Sequence, residues 1–179
     1  MNNNGKVRYM VYGAMFIALT AVCSWITIPA TVQFTMQTFA VFLTLLVMGG
    51  KWGTVTVCAY VLTGLAGVPV FSGFKGGPGV LFGSTGGYII GFIVMGLIYW
   101  ALTHFFGEKK PVKITAMAAG LAACYGFGTA WFMVVYTRTA EAIGLMTALG
   151  WCVLPFIIPD IVKMVLAWFV SGKIKAHIE

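Results

Sequence analysis

The chain has 179 residues, of which 60% are hydrophobic and 8% charged, and its mean hydropathy is +0.97. Soluble domains carry roughly 45–50% apolar and ~25% charged residues, so no soluble fold fits. The net charge of +7 arises from 11 Lys and Arg against 4 Asp and Glu, but these cations form no single stripe, which argues against nucleic acid as a partner.

A helix crosses a bilayer with ~20 mostly apolar residues, because lipid offers the backbone no hydrogen-bond partners. No charge occurs from Tyr9 to Gly50 or from Trp52 to Phe74, and the pattern predicts six spans. The first, over 7–28, is longer than the ~7–15-residue apolar region of a signal peptide and is read as a crossing. The second and third, over 34–49 and 52–68, are separated at Gly49-Gly50, and Pro29 ends the first. A Gly-rich outer loop over 69–83 leads into spans over 84–106, 114–136 and 145–170, with a break at Glu108 to Pro111. The expected fold is an all-α integral membrane protein, one domain over 1–179, multi-pass in the cell membrane among its lipids.

Short cytoplasmic loops are enriched in Lys and Arg. With both termini cytoplasmic, Lys6, Arg8, Lys51, Lys109, Lys110, Lys113, Lys173 and Lys175 face inward, and only Lys75 and Arg138 face outward. Lys163 belongs to neither side, since it sits within the sixth span.

Asp160 and Lys163 lie three apart, which places both on one helix face within reach of each other. Each ionisable group near a bilayer centre costs roughly 2.5–3.5 kcal/mol on insertion scales, and such groups usually face a bundle interior or a wet cavity. An ion pair that only pins helices is the competing reading. Pro155 and Pro159 weigh against it, because proline removes an amide donor and broken helices at membrane depth persist mainly beside cavities.

The segment Ser72 to Tyr88, SGFKGGPGVLFGSTGGY, holds seven glycines, which let backbone turn sharply and approach a ligand. It matches neither G-x-x-x-x-G-K-[ST] nor G-x-G-x-x-G, so a phosphate cradle is not expected. Lys75 is its one charge and would meet an anionic solute arriving from outside, or remain a solvated loop lysine. Phe71, Phe74, Phe82 and Tyr88 could wall an apolar pocket or anchor the interface. In FTMQT, Phe34 to Thr38, Gln37 and the threonines offer donors and acceptors, and Gln37 could equally join helices. Ala14 and Ala18 form a small-x-x-x-small face on the first span that permits close helix approach.

Enzymatic readings lack parts. His104 and His177 have no paired carboxylates and form no H-E-x-x-H site. Asp160 and Glu141 are the only acids away from the cytoplasmic flanks, and Cys23, Cys58, Cys124 and Cys152 show no ligand spacing and are read as packing residues. No catalytic residue, metal or cofactor is expected.

Four segments in order, Ala14-x-x-x-Ala18, FTMQT, GVPVFSGFKGGPGVLFGSTGGYIIGF and LPFIIPDIVKMVLA, resemble the BioY family, the biotin-specific S components of energy-coupling factor (ECF) transporters, over nearly the whole chain. The resemblance implies a six-helix ECF S component that binds biotin from outside and delivers it by toppling, with a transmembrane coupling subunit and ABC-type ATPase subunits as partners. It implies substrate-binding roles for Asp160 and Lys163, and for the glycine segment as a loop closing over the ligand, with Phe34, Gln37, Phe71, Gly73, Lys75 and Tyr88 as further candidates. Ala14 and Ala18 match the face that docks on the coupling subunit. Lys75 departs from the family pattern, where a small polar residue is usual. A self-sufficient biotin facilitator, an S component for another vitamin, and a structural subunit are the alternatives.

Overall fold

The structure is a computed structural model, and it describes residues 3–28, 33–137 and 144–178. Arg138, Glu141 and the expected break at Pro29 lie outside these residues. Among the described residues, seven helices and an antiparallel pair of strands follow one another: α1 Asn3–Trp25, β1 Thr27–Ile28, β2 Phe34–Thr35, α2 Gln37–Leu65, α3 Pro78–Leu81, α4 Gly86–Phe106, α5 Lys110–Tyr136, α6 Leu145–Cys152 and α7 Leu154–Ile178.

The 29 residues of α2 would span about 44 Å if straight. They do not run straight, because Gly49 takes φ 76° and ψ 174°, backbone angles that essentially only glycine adopts without strain. The chain folds back there. A Cβ placed on Gly53 would lie 3.0 Å from Leu45 Cα, and Gln37 Nε2 donates to Tyr60 OH at 2.8 Å, although these two residues would stand about 35 Å apart in a straight helix. Residues 37–48 and 50–65 therefore form two antiparallel limbs with their turn at the expected glycine pair.

The first limb is buried along most of its length at the centre of the bundle, with Ala40, Val41, Phe42 and Leu45 fully buried and Gln37, Thr38 and Thr44 as its polar residues. Around it, α1 packs on α2, α2 packs on α4 and α7, and α4 packs on α5. Large apolar side chains point outward on every long helix, including Val11, Leu62, Leu97, Val134 and Val162. Among the described residues, five elements are long and apolar enough to cross a membrane, with the bent α2 counted once and Leu145–Ala176 taken as one. The protein is a multi-pass membrane protein.

Several expected boundaries move. The second span starts at Gln37, because Phe34 and Thr35 pair with Ile28 and Thr27 in the antiparallel hairpin, and the third stops at Leu65 rather than at position 68. The glycine loop contains α3. The last span, expected over 145–170, is two helices parted at Val153 (φ −124°, ψ −56°) and continuing to Ile178. Pro155 falls in the first turn of α7, where a missing N–H is tolerated, whereas Pro159 sits inside α7 without ending it.

Candidate functional site

Asp160 and Lys163 are each 3% exposed on α7. Lys163 Nζ lies 2.8 Å from Asp160 Oδ1 and donates to the Thr35 carbonyl of β2 at 2.7 Å. Its third neighbour is the Phe34 ring, whose centroid is 4.1 Å away; a desolvated cation over an aromatic face is attracted by the ring quadrupole. The other carboxylate oxygen, Asp160 Oδ2, accepts from Tyr125 OH of α5 at 2.6 Å. A four-part chain thus links α5, α7 and the hairpin, and it satisfies two charges that the apolar interior would otherwise penalise.

The chain borders a cavity of about 400 Å³, into which Asp160, Lys163, Tyr125, Gln37, Phe71 and Tyr88 all project. Phe71 is positioned from outside the cavity. Tyr60 meets its ring edge-on at 5.6 Å, and Gly64 leaves the space its ring fills, since a Cβ there would overlap Phe71. Val70, its neighbour, has its carbonyl gripped twice, by Ser24 Oγ at 2.7 Å and by Tyr60 OH at 2.8 Å. Tyr88 is held by a hydrogen bond between its hydroxyl and Thr129 Oγ1 at 3.0 Å.

Lys75 also lines the cavity. Its backbone exchanges hydrogen bonds with Phe71 in both directions, at 2.9 and 3.3 Å, closing a turn in which Gly73 (φ 71°) and Phe74 (φ 56°) are left-handed. Phe74 is unusual in that conformation, and it stacks on Trp25 at 4.7 Å. Among the described residues, Asp160 and Lys163 balance one another, while the Lys75 ammonium has neither an ion-pair nor a hydrogen-bond partner.

A sequence model described as the BioY family matches residues 1–179. The chain belongs to the BioY family. It is 37% identical over 170 residues to the biotin transporter BioY of Thermotoga maritima, covering 94% of this chain and 96% of that one. To the probable biotin transporter BioY of Pyrococcus horikoshii it is 36% identical over 173 residues, covering 96% and 99%. Among solved structures, the S-component for biotin from an ECF-type ABC transporter superposes with a TM-score of 0.85 at 24% identity, covering 98% of this chain and 95% of that one. That likeness concerns the fold.

In this BioY family member the expected candidates separate by position. Asp160, Lys163, Lys75, Gln37, Phe71 and Tyr88 share one cavity. Phe34 sits behind Lys163 and stacks on Phe156 at 6.0 Å, and Gly73 shapes the turn rather than lining the cavity. Phe74 and Phe82, considered as pocket walls, are 66% and 67% exposed. Ala14 and Ala18 lie on the outer face of α1, away from the cavity. Cys124 and Cys152, expected only as packing residues, line it.

Tyr125 escaped sequence reading, since it is one of 7 tyrosines and its partner is 35 residues away. Its bond is charge-assisted and worth about 1.5–3 kcal/mol. Tyr125→Phe, which removes only the hydroxyl, is expected to lower the unfolding midpoint in detergent accordingly, as measured by thermal denaturation of the purified chain.

Proposed function

We propose that this chain is the biotin-binding S component of an ECF-type importer, with six crossings and both termini in the cytoplasm. The limbs of α2 supply the second and third crossings, and the basic ends of α1, α5 and α7 supply the inward cationic side. A transmembrane coupling subunit docks on the Ala14 and Ala18 face, and ATPase subunits drive the cycle.

The observation that carries this reading is the charge balance of the cavity. The buried pair is neutral within itself, which leaves Lys75 as the one remaining charged residue among the described residues that line the space. Such a site favours a monoanion. About 400 Å³ falls in the ~300–1,000 Å³ range of small-molecule sites, and biotin offers a carboxylate at one end, a ureido ring at the other and an apolar body between. Asp160 accepts a ureido N–H, Phe71 and Tyr88 cover the apolar body, and Gln37 adds polar contact. Lys163 is already occupied by Asp160, Thr35 and Phe34, so it positions Asp160 and the hairpin, and the carboxylate falls to Lys75.

Radiolabelled biotin binding to the purified chain, with other vitamins as competitors, tests the function; absence of saturable binding would end it. The assignment of Lys75 has its own test. Lys75→Gln is expected to weaken biotin by about 1–2 kcal/mol, roughly 5- to 30-fold, because a solvated charge pair is partly screened. Biotin methyl ester, which lacks the charge, should bind wild type and variant alike. Equal loss of ester and acid would move the carboxylate elsewhere.

A further inference from the structure

Behind the wall of the cavity, a short run of hydrogen bonds fixes where each proton goes. The Val70 carbonyl can only accept, and Tyr60 has a single hydroxyl proton, which it donates there at 2.8 Å. Toward Gln37, at 2.8 Å, the same hydroxyl oxygen has only lone pairs left to offer. The group that meets it must donate. The amide nitrogen Nε2 of Gln37 therefore turns to Tyr60, and the amide oxygen turns away from it. Both partners are buried, Tyr60 at 1% and Gln37 at 4% exposure, and the second limb of α2 carries Tyr60 while the first carries Gln37.

The oxygen so directed opens on the cavity. Gln37 lines that space, whereas Tyr60 does not. Among the described residues, Gln37 Oε1 accepts from no group and is not sealed off from its surroundings. Gln37 also stands at the end of the cavity that holds Asp160. It follows Thr35 by two residues, its backbone N–H donates to Thr35 Oγ1 at 3.3 Å, and the Thr35 carbonyl accepts from Lys163. Tyr125 shows the same polarity from the other side of the pair. Its one proton goes to Asp160 Oδ2 at 2.6 Å, so toward the cavity that it lines it too offers lone pairs.

We propose that Tyr60 is a positioning residue for substrate selection: by holding the Gln37 amide through its nitrogen, it presents the amide oxygen to the second ring N–H of a cyclic urea. The first ring N–H is the one taken by Asp160. The inference rests on the biotin reading above and adds which group reads the other half of the ring. A ligand with an acceptor in place of that N–H would set lone pair against lone pair, and a buried acceptor left unpaired is costly. A site built to bond an N–H rejects the analogue lacking it far more strongly than an apolar contact could.

The test compares biotin with its two cyclic carbamate analogues, in which one or the other ring N–H is replaced by oxygen, in equilibrium binding to the purified full chain. Wild type is expected to prefer biotin to both by at least roughly 100-fold. In Tyr60→Phe the amide can turn its NH2 to the cavity, and one analogue should gain at least roughly tenfold relative to biotin. The other, whose missing N–H faces Asp160, should gain nothing. Val70 keeps its bond from Ser24 Oγ at 2.7 Å in this variant. Equal loss for all three ligands would make Tyr60 a packing residue only, and unchanged ratios would also overturn the proposal. Gln37→Met should relax the same analogue with Tyr60 in place, and adding Tyr60→Phe to it should change the ratios no further; a further change would mean that Tyr60 acts by another route. Should Tyr60→Phe not fold, Gln37→Met decides alone: if neither analogue gains on biotin, no N–H is read at Gln37. A wild-type chain that binds no biotin would instead end the function on which the inference rests.

Discussion

Lys163→Ala is expected to abolish saturable biotin binding and to destabilise the fold by about 3–5 kcal/mol, the loss typical when one partner of a buried ion pair is removed. The reason is local. The Lys163 ammonium meets Asp160, the Thr35 carbonyl and the Phe34 ring at once, and at 3% exposure neither charge of the pair can recover its solvation from water. Without the lysine, Asp160 keeps only the Tyr125 hydroxyl, and the hairpin loses its tether to α7. The double variant Asp160→Leu/Lys163→Met leaves no unpaired charge and should recover part of the lost stability, though not binding. Detergent unfolding of the two variants, read beside radiolabelled biotin binding, separates the contributions. If the single variant is as stable as wild type and merely binds less, the pair is not a structural link. If the single variant binds biotin normally, the pair is outside the substrate site.

The pair was legible in the sequence because charge within an apolar run is anomalous whatever surrounds it. The fold-back at Gly49-Gly50 was legible for a similar reason, since two glycines interrupt a run otherwise too long for one crossing. Contacts between distant positions were not. Nothing near Tyr125 points to Asp160, and nothing near Ser24 or Tyr60 points to the Val70 carbonyl that both grip. Lys163 is the instructive case. Its spacing from Asp160 is visible, but its hydrogen bond to the Thr35 carbonyl, 128 residues away, is not. The division at Val153 has no breaker residue of its own to mark it, and the nearby prolines do not make it. Pro155 fits the first turn of a new helix, and Pro159 is carried inside it.

Gly86→Ala is expected to be the most damaging single methyl addition at the rim of the cavity. Gly86 is the first residue of α4, and a Cβ there would overlap the carbonyl oxygen of Leu81 while lying 2.8 Å from its Cα. The obstacle is backbone, so no rotamer change can relieve it, and Leu81 itself is buried at 5% exposure. Relief requires α3 to separate from the start of α4. The intervening Gly83, Ser84 and Thr85 line the cavity, and Trp131 Nε1 holds the Gly83 carbonyl at 3.0 Å, so the displacement is transmitted to the site. Overpacking of this kind costs about 1–3 kcal/mol or more, and biotin affinity should fall by at least roughly 10-fold as the wall shifts. Gly126→Ala provides the contrast. It adds the same methyl within α5, where nothing lies within 4 Å, and should stabilise the helix by up to about 1 kcal/mol with binding unchanged. Comparable unfolding midpoints and affinities for the two variants would mean that the close approach of α3 and α4 does not shape the cavity.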